Sequence, residues 1–211
     1  MLVVALIIAA TATAQFDPAN FSASLSGNYT MYKGDFQQKT PGAKIDIGYS
    51  LSGKARISAG YTYHAPIKEP SSITVTNGGE FKTLASEIKY KFSTISLTGT
   101  YTLIQTEEDP FSIYVPVGLS YVTAKYSEAV TAPIPAGYTP VDQVAPGKET
   151  GFTINVAIGA QYNIGTLRVF ADAGVGLPAN QTNGQYTENN IPAHLVFNVG
   201  VRIPFGVRDF E

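Results

Sequence analysis

The chain has 211 residues, enough for one domain with its own core, and only 14% of them are charged, for a net charge of −2. That leaves no basic field to hold nucleic acid through its phosphates. Cysteine is absent, which excludes a disulfide framework, a thiolate metal site and a thiol nucleophile, whereas 20 glycines, 13 tyrosines and 11 phenylalanines suit a pleated surface.

An apolar run from Leu2 to Ala10 comes first, followed by Ala12-Thr13-Ala14, the small-x-small pattern that signal peptidase accepts. The run falls short of the roughly 20 residues a helix needs to cross a bilayer, so it reads as a cleaved export signal rather than an anchor. Residues 1–14 are expected to be a signal peptide and residues 15–211 a single domain beginning at Gln15.

Strict alternation then replaces any helical period. Phe21, Ala23, Leu25, Gly27, Tyr29 and Met31 face Ser22, Ser24, Ser26, Asn28 and Thr30 across the pleat. Ala43, Ile45, Ile47, Tyr49 and Leu51 alternate with Lys44, Asp46 and Ser50; after the short turn Ser52-Gly53-Lys54, Ala55, Ile57, Ala59, Tyr61 and Tyr63 alternate with Arg56, Ser58 and Thr62. Leu84, Ile88, Tyr90 and Phe92 oppose Glu87, Lys89 and Lys91, and then Ile95, Leu97, Gly99, Tyr101 and Leu103 oppose Ser96, Thr98, Thr100 and Thr102. The phase changes across Ser93-Thr94, which predicts either a tight turn or a β-bulge, because one extra residue sends every later side chain to the other face. Further dyads run from Phe111 to Tyr121, with Pro116 mid-strand, from Phe152 to Tyr162, from Leu167 to Leu177 and from Leu195 to Phe205.

Connections alternate between short (52–54, 105–110, 163–166) and long (32–42, 64–80, 127–149, 178–192). Strands with one apolar face and one polar face, joined by alternating short and long connections, describe an all-β, antiparallel up-and-down transmembrane barrel. Eight strands result if residues 81–104 form one bulged strand; a turn at Ser93-Thr94 would give nine, an odd number that such barrels avoid. A soluble β-sandwich also alternates and stays open as the alternative; the charges Asp46, Arg56, Glu87, Lys89, Arg168, Asp172 and Arg202, mid-strand between apolar neighbours, argue against it.

The run Asn198-Val199-Gly200-Val201-Arg202-Ile203-Pro204-Phe205 matches the polar-x-Gly-x-x-apolar-x-aromatic pattern in the last strand of outer-membrane proteins. Together with the turn and strand at Asp109 to Tyr121, it makes the chain resemble the small OmpA/OmpX-type barrels. That resemblance implies insertion into the outer membrane of a Gram-negative bacterium. It also makes Asn198, Gly200, Ile203 and Phe205 an assembly signal for the barrel-assembly machinery. Gly206 to Glu211 extend past the aromatic residue that usually ends such chains.

An eight-stranded barrel is just filled by its own side chains, so Lys44, Asp46, Arg56, Glu87, Lys89, Lys91, Arg168, Asp172 and Arg202 are expected to pair with one another in the interior. That arrangement plugs the lumen. The tyrosines Tyr29, Tyr32, Tyr49, Tyr61, Tyr63, Tyr101, Tyr121, Tyr126 and Tyr162 are expected to form aromatic girdles at the membrane interfaces. Only two histidines exist, His64 and His194. With no zinc-ligand spacing and no local serine–base pair, neither a metal site nor a catalytic set is expected, and no cofactor is implied. The expected role is that of a surface or structural barrel with lipid around it, in which long loops could meet an external partner. The alternatives are a narrow conduit for small apolar solutes and, less in keeping with these residues, an enzyme acting on lipid A.

Overall fold

The computed structural model describes residues 17–33, 38–105, 110–179 and 193–205; the expected signal peptide and Gly206 to Glu211 lie outside the described residues. The strands are β1 (Phe21–Tyr32), β2 (Lys39–Ser50), β3 (Ala55–His64), β4 (Ile67–Asn77), β5 (Glu80–Gln105), β6 (Phe111–Val130), β7 (Thr139–Pro140), β8 (Gly147–Ile164), β9 (Leu167–Pro178) and β10 (His194–Pro204). Hydrogen bonding runs in the order β3-β2-β1-β10-β9-β8-β6-β5, and β5 returns to β3, which closes a ring of eight antiparallel strands. Closure removes every edge from the ring, the condition a sheet must meet to cross hydrocarbon.

Alternation sorts the two faces of this ring as the sequence implies. Ser22, Ser24, Ser26, Asn28 and Thr30 of β1 are buried toward the lumen, while Leu25, Ile45, Leu97, Val199 and Ile203 point outward and are exposed. In a protein surrounded by water such a belt would be unstable; here acyl chains cover it.

Three strands outlast the membrane. β5 has 26 residues, β6 has 20 and β8 has 18, whereas about 9–11 suffice to cross the hydrocarbon core. The section Ser93–Tyr101 of β5 pairs with β3, and the section Glu80–Tyr90 pairs with β4, a strand outside the ring. Residues 64–80, expected as a long loop, are thus mostly β4, returning through Gly78 and Gly79 at φ of 57° and 94°. Two consecutive positive φ values between paired Asn77 and Glu80 make a type I′ hairpin, whose backbone only glycine or asparagine adopts readily. The long connection after β6 is likewise laid down rather than free. Its β7 residues pair with Val75 and Thr76 of β4, the Val141 N–H donates to the Thr74 carbonyl, and the Thr74 N–H donates to the Asp142 carboxylate at 2.6 Å.

Residues 80–105 form one strand, in agreement with the single-strand expectation, but the bulge is not at Ser93-Thr94. Pairing with β6 is unbroken there and shifts only between Thr102 and Ile104, where Leu103 and Ile104 both face outward. The hydrophobic phase therefore inverts on a regular strand. Even-numbered residues of β5 stay on the lumen side from Thr102 back to Ser86, and past Ser93 they become Phe92, Tyr90 and Ile88. β6 inverts in the same rows, with Val122 and Ala124 buried and Lys125 exposed.

Candidate functional site in the barrel lumen

The lumen is built in layers. Nearest the short turns, the Arg56 guanidinium of β3 lies across β2, where a Cβ on Gly48 would come within 2.2 Å of it; glycine is what lets it lie flat. Arg56 contacts Asp46 at 2.7 Å through Nη2 and donates from Nε to Ser22 Oγ at 3.1 Å, while Ser24 Oγ donates to the same Asp46 oxygen at 2.7 Å. Across the lumen, Arg202 donates to Gln161 at 2.9 Å, and its guanidinium sits 5.1 Å from the centre of the Phe170 ring.

The next layer belongs to Asp172. Tyr114 donates to one carboxylate oxygen at 3.2 Å and Asn198 to the other at 2.6 Å; Asn28 donates to Asn198, and Thr30 to Asn28. Beyond it lies a chamber of about 100 Å³ whose walls include Lys44, Thr62, His64, Ser120, Asn155 and His194. His194 fits because Gly176 stands opposite it, where a Cβ would approach the imidazole to 2.3 Å. A second cavity of about 150 Å³ opens at the turn end, with Ser50, Thr102 and Arg168 in its wall, and it shares no wall residue with the first.

Apolar side chains roof the chamber. Tyr32 stacks on Phe92 with ring centres 4.8 Å apart, and both are buried with Ile67, Val122 and Ala124. Past this roof the interior of the projecting sheet is organised around Glu128, which accepts from Ser86 Oγ and from the Val144 N–H at 2.7 Å. The Ser86 hydrogen bond, with the Val144 N–H behind it, holds the Glu128 carboxyl below its ordinary range.

The structure brings together only part of the expected set of interior charges. Asp46 and Arg56 form the single ion pair among the described lumen residues. Asp172 and Arg202 sit in the lumen but take neutral partners, Lys44 lines the chamber, and Arg168 lies at the turn-end cavity. Glu87, Lys89 and Lys91 are not interior: they occupy the odd positions of β5, on the face away from the lumen, and Glu87 pairs with Lys68 at 2.9 Å. Their apparent phase match with the lumen depended on a bulge that does not exist. Tyr32 and Tyr126 also leave the girdle, since even positions of β1 and β6 face inward. Asn198 and Gly200 of the C-terminal pattern face the lumen, and Ile203 and Phe205 face outward.

Tyr114, Gln161 and Asn155 carry much of the lumen chemistry without having been singled out. Their inward register was legible; neutral polar groups simply draw less notice than charges. Among the described residues no cluster of His, Cys, Asp or Glu could hold a metal ion.

Comparison with known proteins fits this geometry. Neisserial surface protein A (NspA) superposes with a TM-score of 0.58 at 15% identity, over 88% of this chain and 97% of that one. A major outer membrane protein from Thermus thermophilus gives a TM-score of 0.52 at 11% identity, over 87% of this chain and 98% of that one. At these identities the likeness is one of fold. No curated protein sequence matches the chain. The family model of the outer membrane protein beta-barrel domain matches residues 1–205. With its closed eight-stranded ring and its lipid-facing belt, the chain belongs to the outer membrane protein beta-barrel domain family, proteins of the Gram-negative outer membrane.

Proposed function

We propose that the chain is a non-enzymatic barrel whose lumen is closed and whose working surface is the sheet projecting beyond the membrane. After export directed by residues 1–14, the mature chain from Gln15 is recognised through Asn198, Gly200, Ile203 and Phe205 by the barrel-assembly machinery. It inserts with its short turns toward the periplasm. β4, β7 and the far halves of β5 and β6 then stand outside the cell, available to an external partner.

The observation that carries this reading is the stacking of closures inside the ring: the Arg56–Asp46 layer, the Asp172 layer and the apolar roof under Phe92. The Asp172 layer is bonded from β6 round to β1, the roof packs β1 against β4, β5 and β6, and the Arg56–Asp46 layer is bonded over the neighbouring strands β1, β2 and β3. Opening one would strand a buried charge or expose aromatic surface. Planar-bilayer recordings of the purified protein are expected to stay flat. Regular ohmic steps from the unmodified protein would overturn the closed lumen. Protease added to intact cells is expected to cut within residues 131–146 and leave the ring whole; cutting only after lysis would reverse the orientation.

A conduit for small apolar solutes draws support from one feature, the roof of Tyr32, Ile67, Phe92, Val122 and Ala124, which offers an apolar surface at the outer mouth. It predicts faster uptake of such a solute by liposomes containing the protein, and loss of that uptake when Phe92 is replaced by Asp.

A further inference from the structure

On the outer face of the projecting sheet, strand register sets lysines directly opposite one another. Lys91 of β5 pairs with Lys125 of β6, and Lys125 pairs with Lys148 of β8, so three ammonium groups share one row across three adjacent strands. In the next row out, Lys68 of β4 is opposite Lys89 of β5. Like charges directly opposed weaken a sheet. The neighbouring acids do not relieve them: Glu87 is taken by Lys68 at 2.9 Å, while Glu128 and Glu149 sit on the inward positions of β6 and β8. Among the described residues, Lys89, Lys91, Lys125 and Lys148 make no ion pair.

Position says what neutralises them. Tyr61, Ile95, Tyr121 and Phe152 form one outward row, the last rich in aromatic rings before the faces turn polar. Above it come Tyr63, Ser93, Thr123 and Thr150, and then the lysine row. Four residues along a strand are about 13 Å, or about 10 Å along the membrane normal for a strand tilted by about 40°. The headgroup layer is about 5–8 Å deep on each side of the hydrocarbon, and a lysine reaches back several ångströms along its own stem. We infer that Lys91, Lys125 and Lys148, backed by Lys89, bind the phosphate groups of anionic lipid in the outer leaflet. The row then acts as an electrostatic collar that fixes the depth of the barrel and takes up repulsion left uncompensated within the protein.

The inference rests on the proposed orientation for its place in the cell, but its test does not. The full mature chain is folded into vesicles of phosphatidylcholine alone, of phosphatidylcholine with phosphorylated lipid A, and of phosphatidylcholine with lipid A stripped of its phosphates. The temperature at which the folded gel band disappears is read in each. Both leaflets carry the lipid, so orientation is immaterial. The unmodified chain is expected to gain several degrees from the phosphorylated lipid and none from the stripped one. The K91S/K125S/K148S variant is expected to lose that gain while being at least as stable as the parent in phosphatidylcholine alone; Lys54→Ser, at the turn end, keeps it. Equal gain from stripped lipid, or full gain in the triple variant, would overturn the collar. So would heparin, added to neutral vesicles, producing the gain where phosphorylated lipid does not, since that would assign the row to a soluble polyanion.

Discussion

Along β5 two regions share one unbroken strand and invert each other. From Ile95 to Tyr101 the outward side chains are Ile95, Leu97, Gly99 and Tyr101, with hydroxyls facing in; from Lys91 to Glu87 the outward side chains are charged, and Phe92, Tyr90 and Ile88 face in. The reason is what surrounds each region. In hydrocarbon the outward face must be apolar and the lumen holds the polar groups, whereas in water the same pleat needs a polar exterior and an apolar interior. A change of hydrophobic phase can thus report a change of solvent with no change in backbone geometry.

The sharpest contrast is in how each interior fails. In the ring, Asp46→Ala leaves the Arg56 guanidinium buried without its counter-charge, at a cost of about 3–5 kcal/mol, and the double change Asp46→Ala with Arg56→Met is expected to recover most of it. Urea titration of the folded gel band in detergent measures both. Equal loss in the single and double variants would mean that the ring interior is held by packing rather than by its polar layer.

The outward faces separate the regions next. Leu97 lies in a row with Ala59 and Leu119 in the belt, so Leu97→Lys is expected to cost about 2–4 kcal/mol in a lipid bilayer. Ala129, on the outward face of the projecting sheet opposite Glu87, should accept lysine within about 0.5 kcal/mol. Refolding yields in vesicles at matched urea give the two values, and a cost at Ala129 as large as that at Leu97 would place the projecting sheet in lipid.

The ring was legible because each of its strands repeats the same two-faced dyad, and the inward register of Asp46, Arg56, Asp172 and Arg202 follows from period alone. The projecting sheet was less so. Glu87, Lys89 and Lys91 were assigned inward by carrying one phase rule across a boundary between solvents. β4 could have been found, since Asn77-Gly78 sits between Ile73 and Val75 on one side and Phe81 on the other, a hairpin signal between β-forming runs. Partners of Asp172 and Arg202 were beyond reach, because which neutral group meets which charge depends on strand stagger around the ring.

The smallest effect concerns how the projecting sheet holds its own connection. Glu128 accepts from Ser86 and from the Val144 N–H, bonds that favour the ionised carboxylate and lower its folded value below the ordinary 4.5. With Val144 released the carboxyl returns toward that ordinary value, so at intermediate pH the released form binds the proton more readily. The clasp is therefore complete above the ordinary glutamate range and is lost as pH falls through the lower, folded value. Asp142, held down in the same direction by the Thr74 N–H, adds to the trend. Hydrogen exchange at the Val144 amide, corrected for its intrinsic pH dependence, is expected to lose protection on acidification while ring amides stay protected. Glu128→Gln should show weaker protection at neutral pH and a smaller acid step, the remainder coming from Asp142. If instead the Val144 amide in Glu128→Gln keeps both its protection and its acid step, residues 131–146 are held by their pairing with β4, and Glu128 is a bystander.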